Sequence, residues 1–170
     1  MGKKRRTQGG GRVIRLVAMD VDGTLTDGGF WMDGEGNEWK RFDVRDGYGI
    51  VLLHRAGIET AFISGRFSKA TKQRAAELGV TRLVNGTGDK LSELRKIAEE
   101  LNIAGEEIAF IGDDEPDLEC VSWCGLGIAV SDARGGLTGI ADWVTPSRGG
   151  SGAVREACEY ILELNERERK

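Results

Sequence analysis

Two aspartates, Asp20 and Asp22, follow a mostly apolar run at residues 13–19 and precede the segment Gly-Thr-Leu-Thr. A carboxylate can act as a nucleophile or as a general acid and base, and Mg²⁺ prefers oxygen ligands. Alternate side chains of an extended chain share one face, so both aspartates can enter the same pocket. Two close carboxylates repel each other unless a cation lies between them. For an Asp-x-Asp alone, a turn with a helix cap would be the better explanation. Because this pair follows an apolar strand and continues as Gly-Thr-Leu-Thr, we predict an acidic functional site here.

A second group of acids follows the apolar run 107–111 and comprises Asp113, Asp114, Glu115 and Asp117. One of them could cap a helix that begins near Pro116, because proline suits the first helical turn. Four acids exceed what one cap requires. Closely packed carboxylates are stabilised by a bound cation, so this group is a second candidate for metal ligation.

Three further segments carry side chains that could hold an anion. Ser64, Gly65 and Arg66 stand between a predicted strand and a helix, where hydroxyls and amides can bind phosphate, although a helix cap is the usual explanation. Lys90 begins a predicted helix, where a positive charge is unfavourable for the helix dipole, and this mild conflict points to a functional reason. Arg45 precedes another predicted helix and could meet an anion, and a salt bridge to a nearby acid is an equal alternative.

Composition narrows the class of protein. The chain has 170 residues and a formal net charge of -4, so one domain is expected and nucleic acid is not an obvious partner. No window is apolar enough for a transmembrane helix, and we expect no membrane partner. The one basic cluster, at residues 3–6, belongs to a stretch, 1–12, that we expect to be a disordered leader, with a nucleic-acid-binding tail as the alternative.

The cysteine and histidine content excludes several mechanisms. Three cysteines without a Cys-x-x-Cys spacing indicate buried thiols of a cytoplasmic protein. The single histidine, His54, lies in a predicted helix and leaves multi-histidine zinc sites and a Ser-His-Asp triad without support. The sequence contains neither a Cys-x5-Arg phosphatase loop nor a P-loop. Acids, a lysine and glycines remain for catalysis.

The elements that must position these residues alternate between strands and helices. Apolar runs predict strands at 13–19, 58–63, 80–84, 107–111, 127–130 and 141–144. The apolar spacing predicts helices that start near Asp46 or Gly47 with a cap at Gly57, at 68–78, at 91–101, and from about 153 onward. This alternation indicates an α/β fold with a doubly wound, Rossmann-like parallel sheet. Both acid groups and Ser64 then lie at the carboxyl edge of the sheet, where such folds bind ligands.

A β-hairpin is predicted directly after the first acidic motif. Two aromatic-bearing runs in residues 29–42 flank an Asp-Gly-Glu-Gly-Asn turn. The hairpin should project over the active-site edge. Its four aromatic residues argue against a purely solvated hairpin, so a partner subunit or the mouth of the pocket should cover it.

The segment 20–27, Asp-Val-Asp-Gly-Thr-Leu-Thr-Asp, resembles the first motif of the haloacid-dehalogenase-like phosphatases. Ser64 matches the second motif, Lys90 the third, and Asp113 and Asp114 with Asp117 the fourth. The resemblance covers roughly residues 13–160 and implies a Mg²⁺-dependent phosphatase that passes through an aspartyl-phosphate.

The resemblance also implies a role for each residue. Asp20 would be the nucleophile, and Asp22 would protonate the leaving oxygen and then activate water. Ser64 and Lys90 would hold the phosphate. Mg²⁺ would be bound by the Asp20 carboxylate, the Asp22 carbonyl and Asp113. The remaining acids, Asp114 and Asp117, would act as outer support for the metal site.

A narrower resemblance rests on the segments 41–50, 64–66, 112–114 and 149–156. They are similar to those of the 3-deoxy-D-manno-octulosonate 8-phosphate phosphatases, which are cap-less homotetramers whose neighbouring subunits help to close each site. Ser64 departs from the threonine common in that family. The resemblance implies a sugar-acid substrate, whose carboxylate Arg45, Arg66 or Arg148 could bind.

Relatives of the same fold leave two alternatives open. One is a phosphatase for 2-keto-3-deoxy-nonulosonate 9-phosphate. The other is a catalytically idle oligomerisation module related to the domains fused to sialate cytidylyltransferases. The intact set of Asp20, Asp22, Ser64, Lys90 and Asp113 favours an enzyme, because an idle module need not keep it. We expect a single phosphatase domain at 13–170, with the hairpin as a flap and no cap domain.

Overall fold

The computed structural model describes residues 13–170, and the predicted leader at residues 1–12 lies outside the described residues. The eight strands are β1 (Leu16–Met19), β2 (Trp31–Met32), β3 (Glu38–Trp39), β4 (Glu59–Ser64), β5 (Arg82–Asn85), β6 (Ile108–Gly112), β7 (Leu126–Ala129) and β8 (Trp143–Val144). The six α-helices are α1 (Val44–Arg55), α2 (Lys69–Leu78), α3 (Lys90–Leu101), α4 (Leu118–Trp123), α5 (Gly135–Thr138) and α6 (Ala153–Glu168). Short 3₁₀ helices at Gly105–Glu107 and Glu115–Asp117 flank β6.

Six of the strands form one parallel sheet in the order β5-β4-β1-β6-β7-β8. All four residues of β1 are buried, and they alternate between two hydrophobic clusters, with Val17 and Met19 in one and Leu16 and Ala18 in the other. Helices α1, α2 and α6 contribute to the first cluster, and α3, α4 and α5 contribute to the second. The predicted doubly wound α/β fold is therefore confirmed.

The direction of the connections reverses at β1. Strands β4 and β5 lie on one side of β1, and β6, β7 and β8 lie on the other. Ligands of such sheets bind at the carboxyl ends of the strands where this reversal occurs. Asp20 follows β1, Ser64 ends β4 and Asp113 follows β6, so the fold brings these three predicted residues to one edge.

Helix α1 begins earlier than predicted, at Val44 instead of Asp46 or Gly47. The Asp43 carboxylate caps it by accepting a hydrogen bond from the Arg45 backbone N–H at 2.7 Å. Gly47 and Gly49 lie inside this helix. A Cβ at Gly49 would lie 3.2 Å from the Cys158 side chain, so glycine allows α1 to approach α6 closely.

Several other boundaries agree with the sequence or shift by a few residues. Helix α2 agrees with the predicted range 68–78 to within one residue: Ser68 is its N-cap, and Gly79, with a left-handed φ of 72°, is its C-cap. Strand β5 begins at Arg82 instead of residue 80, because the Val80 N–H donates to the Ala75 carbonyl at the end of α2. Helix α5 was not predicted, and its four residues are too few for a periodic signal.

The hairpin forms where predicted, with strands β2 and β3 of two residues each and Trp31 opposite Trp39. Both indoles are more than half exposed, at 61% for Trp31 and 54% for Trp39. In the described chain, only this hairpin and α1 separate the first motif from β4, so no cap domain is inserted there. No helix within residues 13–170 has the length and apolar character needed to cross a membrane.

The cysteines and the histidine lie as expected. Cys120, Cys124 and Cys158 are free and buried, and burial raises the pKa of Cys120 and Cys124 to about 12. His54 is half-buried on α1, with Nε2 2.6 Å from the Thr60 hydroxyl. None of these side chains belongs to the acidic site.

Candidate active site

A buried lysine joins the two acid groups. Lys90 Nζ donates to Asp20 Oδ1 at 2.6 Å and to Asp117 Oδ1 at 2.7 Å. Asp20 follows the central strand, Asp117 ends the 3₁₀ helix after β6, and Lys90 is the first residue of α3. All three side chains are buried. Burial disfavours the ammonium, but the charges of Asp20 and Asp117 outweigh it and raise the pKa of Lys90.

The carboxylates of this site suit a divalent cation. Asp20, Asp113 and Asp117 each place an oxygen within 4.8 Å of the others. Burial and the charge of Asp117 raise the pKa of Asp20 well above its ordinary value. Burial likewise raises the pKa of Asp113 to about 6. A hard cation among these oxygens would relieve both effects, so the residues present fit the predicted Mg²⁺.

The turn after β1 is shaped around Asp113. Gly23 has a left-handed backbone with φ of 92°, and a side chain there would overlap the Asp113 carboxylate. Thr24 Oγ1 donates to Asp113 Oδ1 at 3.3 Å. The Thr26 hydroxyl oxygen accepts the N–H groups of Gly23 and Gly28 at 3.2 and 3.1 Å. These contacts explain why the motif continues as Gly-Thr-Leu-Thr after its aspartates.

Asp117 lies directly against Lys90 and close to Asp20 and Asp113, although an outer, supporting position was expected for it. Its Oδ1 accepts a hydrogen bond from Lys90, and its Oδ2 accepts the backbone N–H groups of Asp113 at 3.0 Å and Asp114 at 3.3 Å. Asp114 instead caps the 3₁₀ helix, since its side chain accepts the Glu115 N–H at 2.8 Å. The spacing of the acids alone did not distinguish these two positions.

Gly65 lies beside Lys90 and follows Ser64, the last residue of β4. The buried Ser64 hydroxyl donates to the Arg66 carbonyl at 2.9 Å and so shapes the turn after β4. A Cβ at Gly65 would lie 3.8 Å from Lys90 Cε, so this turn runs against the lysine. The strand end and the helix start therefore border the same site, as predicted from their places in the sequence.

The three predicted arginines each bind a carboxylate of their own. Arg45 Nη2 lies 2.7 Å from Asp43 Oδ2, which is the salt bridge that the sequence left as an equal alternative. Arg66 Nη2 lies 2.8 Å from Glu38 Oε2. Arg148 Nε lies 3.2 Å from Asp132 Oδ2. In the described chain none of the three makes a hydrogen bond or ion pair with Asp20.

The glycine-rich loop 148–152 packs directly on the first motif. The Gly150 N–H donates to the Thr24 carbonyl at 3.0 Å, and a Cβ at Gly149 would overlap the Gly23 carbonyl. A cavity of about 500 Å³ opens beside this contact, and its lining consists of Asp27, Gly29, Asp132, Arg148, Gly149 and Ser151. Arg148 therefore faces a space next to the first motif.

Sequence reasoning missed Lys40. Its Nζ lies 2.7 Å from Asp22 Oδ1, and its side chain is fully buried although it follows an exposed hairpin strand. A lysine after an aromatic residue in a hairpin has no spacing that links it to Asp22. The one available signal was the position of the hairpin, which immediately follows the acidic motif.

The fold and this site define a class of protein. The model of a family described as haloacid dehalogenase-like hydrolase matches residues 79–157. The 3-deoxy-D-manno-octulosonate 8-phosphate phosphatase KdsC of Escherichia coli K12 is 46% identical over 149 residues, which cover 88% of this chain and 79% of that protein. The corresponding protein of Salmonella typhi is 45% identical over the same length and coverage.

Solved structures agree with these relatives. The Moraxella catarrhalis 3-deoxy-D-manno-octulosonate 8-phosphate phosphatase, crystallised with magnesium, phosphate and KDO, has a TM-score of 0.88 and 42% identity and covers 92% of this chain and 90% of its own. The cobalt-bound Haemophilus influenzae enzyme has a TM-score of 0.87 and 37% identity, with 91% of each chain covered. The chain belongs to the 3-deoxy-D-manno-octulosonate 8-phosphate phosphatase family within the haloacid dehalogenase-like hydrolases, and it is therefore a phosphoric monoester hydrolase.

Proposed function

We propose that this protein is a Mg²⁺-dependent phosphatase that hydrolyses 3-deoxy-D-manno-octulosonate 8-phosphate through an aspartyl-phosphate on Asp20. The observation that carries the proposal is the buried group in which Lys90 joins Asp20 and Asp117 while Asp113 lies beside them. The choice of substrate follows from the relatives named above, which are 3-deoxy-D-manno-octulosonate 8-phosphate phosphatases. This geometry supports the proposal because it brings a carboxylate that could attack phosphorus, an ammonium and further carboxylates together at one sheet edge.

Asp20 attacks phosphorus in the first step. An Asp20 carboxylate oxygen forms the new bond to phosphorus while the bond from phosphorus to the sugar oxygen breaks. Asp22 gives that oxygen a proton, and the sugar acid leaves as an alcohol. In the second step Asp22 takes a proton from water, which attacks phosphorus and releases inorganic phosphate and free Asp20.

The surrounding residues stabilise the transferring group. Lys90 is already oriented at Asp20 and offers its charge to the phosphoryl oxygens. Gly65 borders the same space, and the Ser64 hydroxyl would join the backbone amides of this turn in holding the phosphate once it turns away from the Arg66 carbonyl. The Asp20 and Asp113 carboxylates and the Asp22 carbonyl would hold Mg²⁺, with Asp114 and Asp117 in support. The ion neutralises charge that develops on the phosphoryl group.

The rim of the site would select the sugar acid and form the assembly. Arg148 faces the cavity beside the first motif and is the arginine best placed for the carboxylate of a sugar acid, with Arg45 and Arg66 as further candidates. The exposed hairpin indoles are suited to contact between subunits of a cytoplasmic homotetramer, in which a neighbour excludes water from the site.

A phosphate-release assay tests the function. Purified protein is offered 3-deoxy-D-manno-octulosonate 8-phosphate and 2-keto-3-deoxy-nonulosonate 9-phosphate, each with Mg²⁺ and with EDTA. We expect a higher kcat/KM for the first ester and none of this activity in EDTA. A preference for the nonulosonate ester would reassign the substrate. Absence of phosphate release from both esters, with Mg²⁺ present, would favour the idle oligomerisation module.

A further inference from the structure

A lysine of the hairpin reaches the second aspartate of the first motif. The Lys40 side chain is fully buried, and Nζ lies 2.7 Å from Asp22 Oδ1, 3.3 Å from Thr71 Oγ1 and 3.7 Å from Glu38 Oε1. A buried ammonium is costly unless charges and hydrogen-bond acceptors surround it. Lys40 has such partners from three parts of the chain.

The contact constrains one oxygen of Asp22. Oδ1 is buried against the lysine and accepts no hydrogen bond, so the ion pair is what holds it. A quarter of the Asp22 side chain is exposed, and this exposure excludes Oδ1. The carboxylate is therefore held at one oxygen, and part of the rest of the side chain is accessible.

Lys40 is itself held by contacts on two sides. Thr71 belongs to α2, which packs in the main core cluster through Ala75. Glu38 also binds Arg66 at 2.8 Å, and this guanidinium lies 3.9 Å over the Phe30 ring. The hairpin is thereby tied to the turn after β4 as well as to the first motif.

We propose that Lys40 is a positioning residue of the phosphatase reaction, which orients the Asp22 carboxylate for proton transfer to the leaving oxygen and from water. This inference rests on the proposed function. A general acid or base must lie within hydrogen-bond reach of the proton it transfers, so a carboxylate free to rotate loses rate. The hairpin then has a catalytic task within its own chain, in addition to any contact between subunits.

A purely structural ion pair is the competing explanation, and the two differ in which step they affect. The leaving sugar oxygen needs a proton, whereas p-nitrophenolate leaves without one. Asp22 is still needed with p-nitrophenyl phosphate to activate water in the second step. Loss of positioning therefore slows only the second step with that ester, whereas a distorted fold slows both.

The experiment compares Lys40→Met, Lys40→Arg and Lys96→Met with the wild type on 3-deoxy-D-manno-octulosonate 8-phosphate and on p-nitrophenyl phosphate. Lys96 is a matched control, because its exposed side chain pairs with Glu93 on the surface of α3. Thermal unfolding of each variant reports on the fold. Rapid mixing records the burst of nitrophenolate that precedes steady turnover.

We expect Lys40→Met to lose roughly 10- to 100-fold in kcat on both esters, a part of the 10²–10⁴ that acid–base catalysis contributes. With p-nitrophenyl phosphate, kcat/KM should stay within about threefold of the wild type, and a burst of about one nitrophenolate per site should mark accumulated phospho-enzyme. Lys40→Arg should recover most of the loss, and Lys96→Met should match the wild type.

Two results would overturn the proposal. One is wild-type kcat in Lys40→Met on the sugar phosphate. The other is an equal loss of kcat and kcat/KM on both esters without a burst, which is the signature of a structural role. A wild type that releases no phosphate from either ester would instead contradict the proposed function, and the inference would fall with it.

Discussion

Two buried lysines serve the two aspartates of the first motif, and they come from different kinds of structure. Lys90 starts a helix of twelve residues that packs on the sheet, and it meets Asp20. Lys40 follows a strand of two residues in an exposed hairpin, and it meets Asp22. We refer to Asp20, Lys90, Asp113 and Asp117 as the centre, and to the hairpin 30–42 with the loop 148–152 as the rim.

The difference separates two tasks. The centre is fixed by strand ends and a helix start at the sheet edge where α/β folds bind ligands, and under the proposed function its groups contact the phosphoryl group or the metal ion. The rim is built from short strands and glycines, and under our two proposals it carries Lys40, which orients Asp22, and Arg148, which faces the sugar acid. Changes at the centre should therefore abolish phosphate release, whereas changes at the rim should reduce it only in part.

The largest effect should come from Asp20, the proposed nucleophile. Asp20→Asn removes the attacking carboxylate with almost no change in shape, so we expect a loss of roughly 10³-fold or more in kcat. Phosphate release measures the loss, and thermal unfolding checks that the fold is intact. Asp22→Asn should also be severely impaired but accumulate phospho-enzyme. Substantial turnover by purified Asp20→Asn would refute the mechanism.

Removal of the Lys90 ammonium from the centre should reduce both activity and stability. Lys90→Met leaves Asp20 and Asp117 buried without their shared partner, and breaking such a pair costs about 3–5 kcal/mol. We expect strongly reduced phosphate release together with a lower urea midpoint in metal-free protein. Lys96→Met is the matched surface control. Equal midpoints for the two variants would show that Lys90 does not stabilise the centre.

Asp113 and Asp117 should separate metal binding from support. Asp113→Ala should raise the Mg²⁺ concentration needed for half-maximal activity by more than Asp117→Ala does, because loss of a direct ligand should exceed the roughly 10- to 100-fold that loss of an outer partner costs. Asp117→Ala should instead lower stability more, because it leaves Lys90 and the backbone N–H groups of Asp113 and Asp114 without their acceptor. Mg²⁺ titration of activity and urea unfolding measure the two effects. The reverse order in the Mg²⁺ titration would make Asp117 the closer ligand.

At the rim, charged residues in place of the hairpin indoles should reduce assembly and activity together. Trp31→Glu and Trp39→Glu place charges on side chains that are more than half exposed in one chain, so the fold should survive. We expect smaller particles in sedimentation velocity and a loss of roughly tenfold or less in kcat, consistent with graded loss of water exclusion. A fully active wild-type monomer at assay concentration would rule out the subunit role.

The smallest effect should be the contribution of Asp46, on α1, to the pH dependence of stability. Asp46 is buried on α1 and accepts the Arg155 N–H at the start of α6, but its Oδ2 has no hydrogen bond. Burial raises the pKa of Asp46 from 3.8 to about 6, so the folded state binds the proton more tightly than the unfolded chain does. Stability should therefore fall as pH rises from about 4 to about 6.

Asp46→Asn should remove this component while keeping an oxygen for the Arg155 N–H. We expect the variant to gain on the order of 1 kcal/mol over the wild type at pH 8 relative to pH 4, with unchanged kcat. Urea unfolding at both pH values with saturating Mg²⁺ measures the difference, and the metal limits the contribution of the centre. An identical pH profile for the two proteins would contradict the prediction.

The sequence by itself determined the features that depend on local pattern. The apolar run before Asp20 predicted the strand β1, and the apolar spacing at 68–78 predicted α2 to within one residue, because both patterns involve residues that are close in sequence. The order of strands and helices placed the acids at one edge, since parallel strands share their carboxyl ends. The resemblance of four separated motifs then predicted the family.

Only the tertiary structure decided which partners meet. Lys40 is eighteen positions from Asp22, and Lys90 is twenty-seven from Asp117. A long flexible side chain can reach several acids, so no periodicity selects one of them. Arg45, Arg66 and Arg148 likewise find carboxylates that the sequence did not assign to them, apart from the neighbouring Asp43. Packing of the hairpin and loops against the sheet edge makes these choices, because it sets the distances over which charges act.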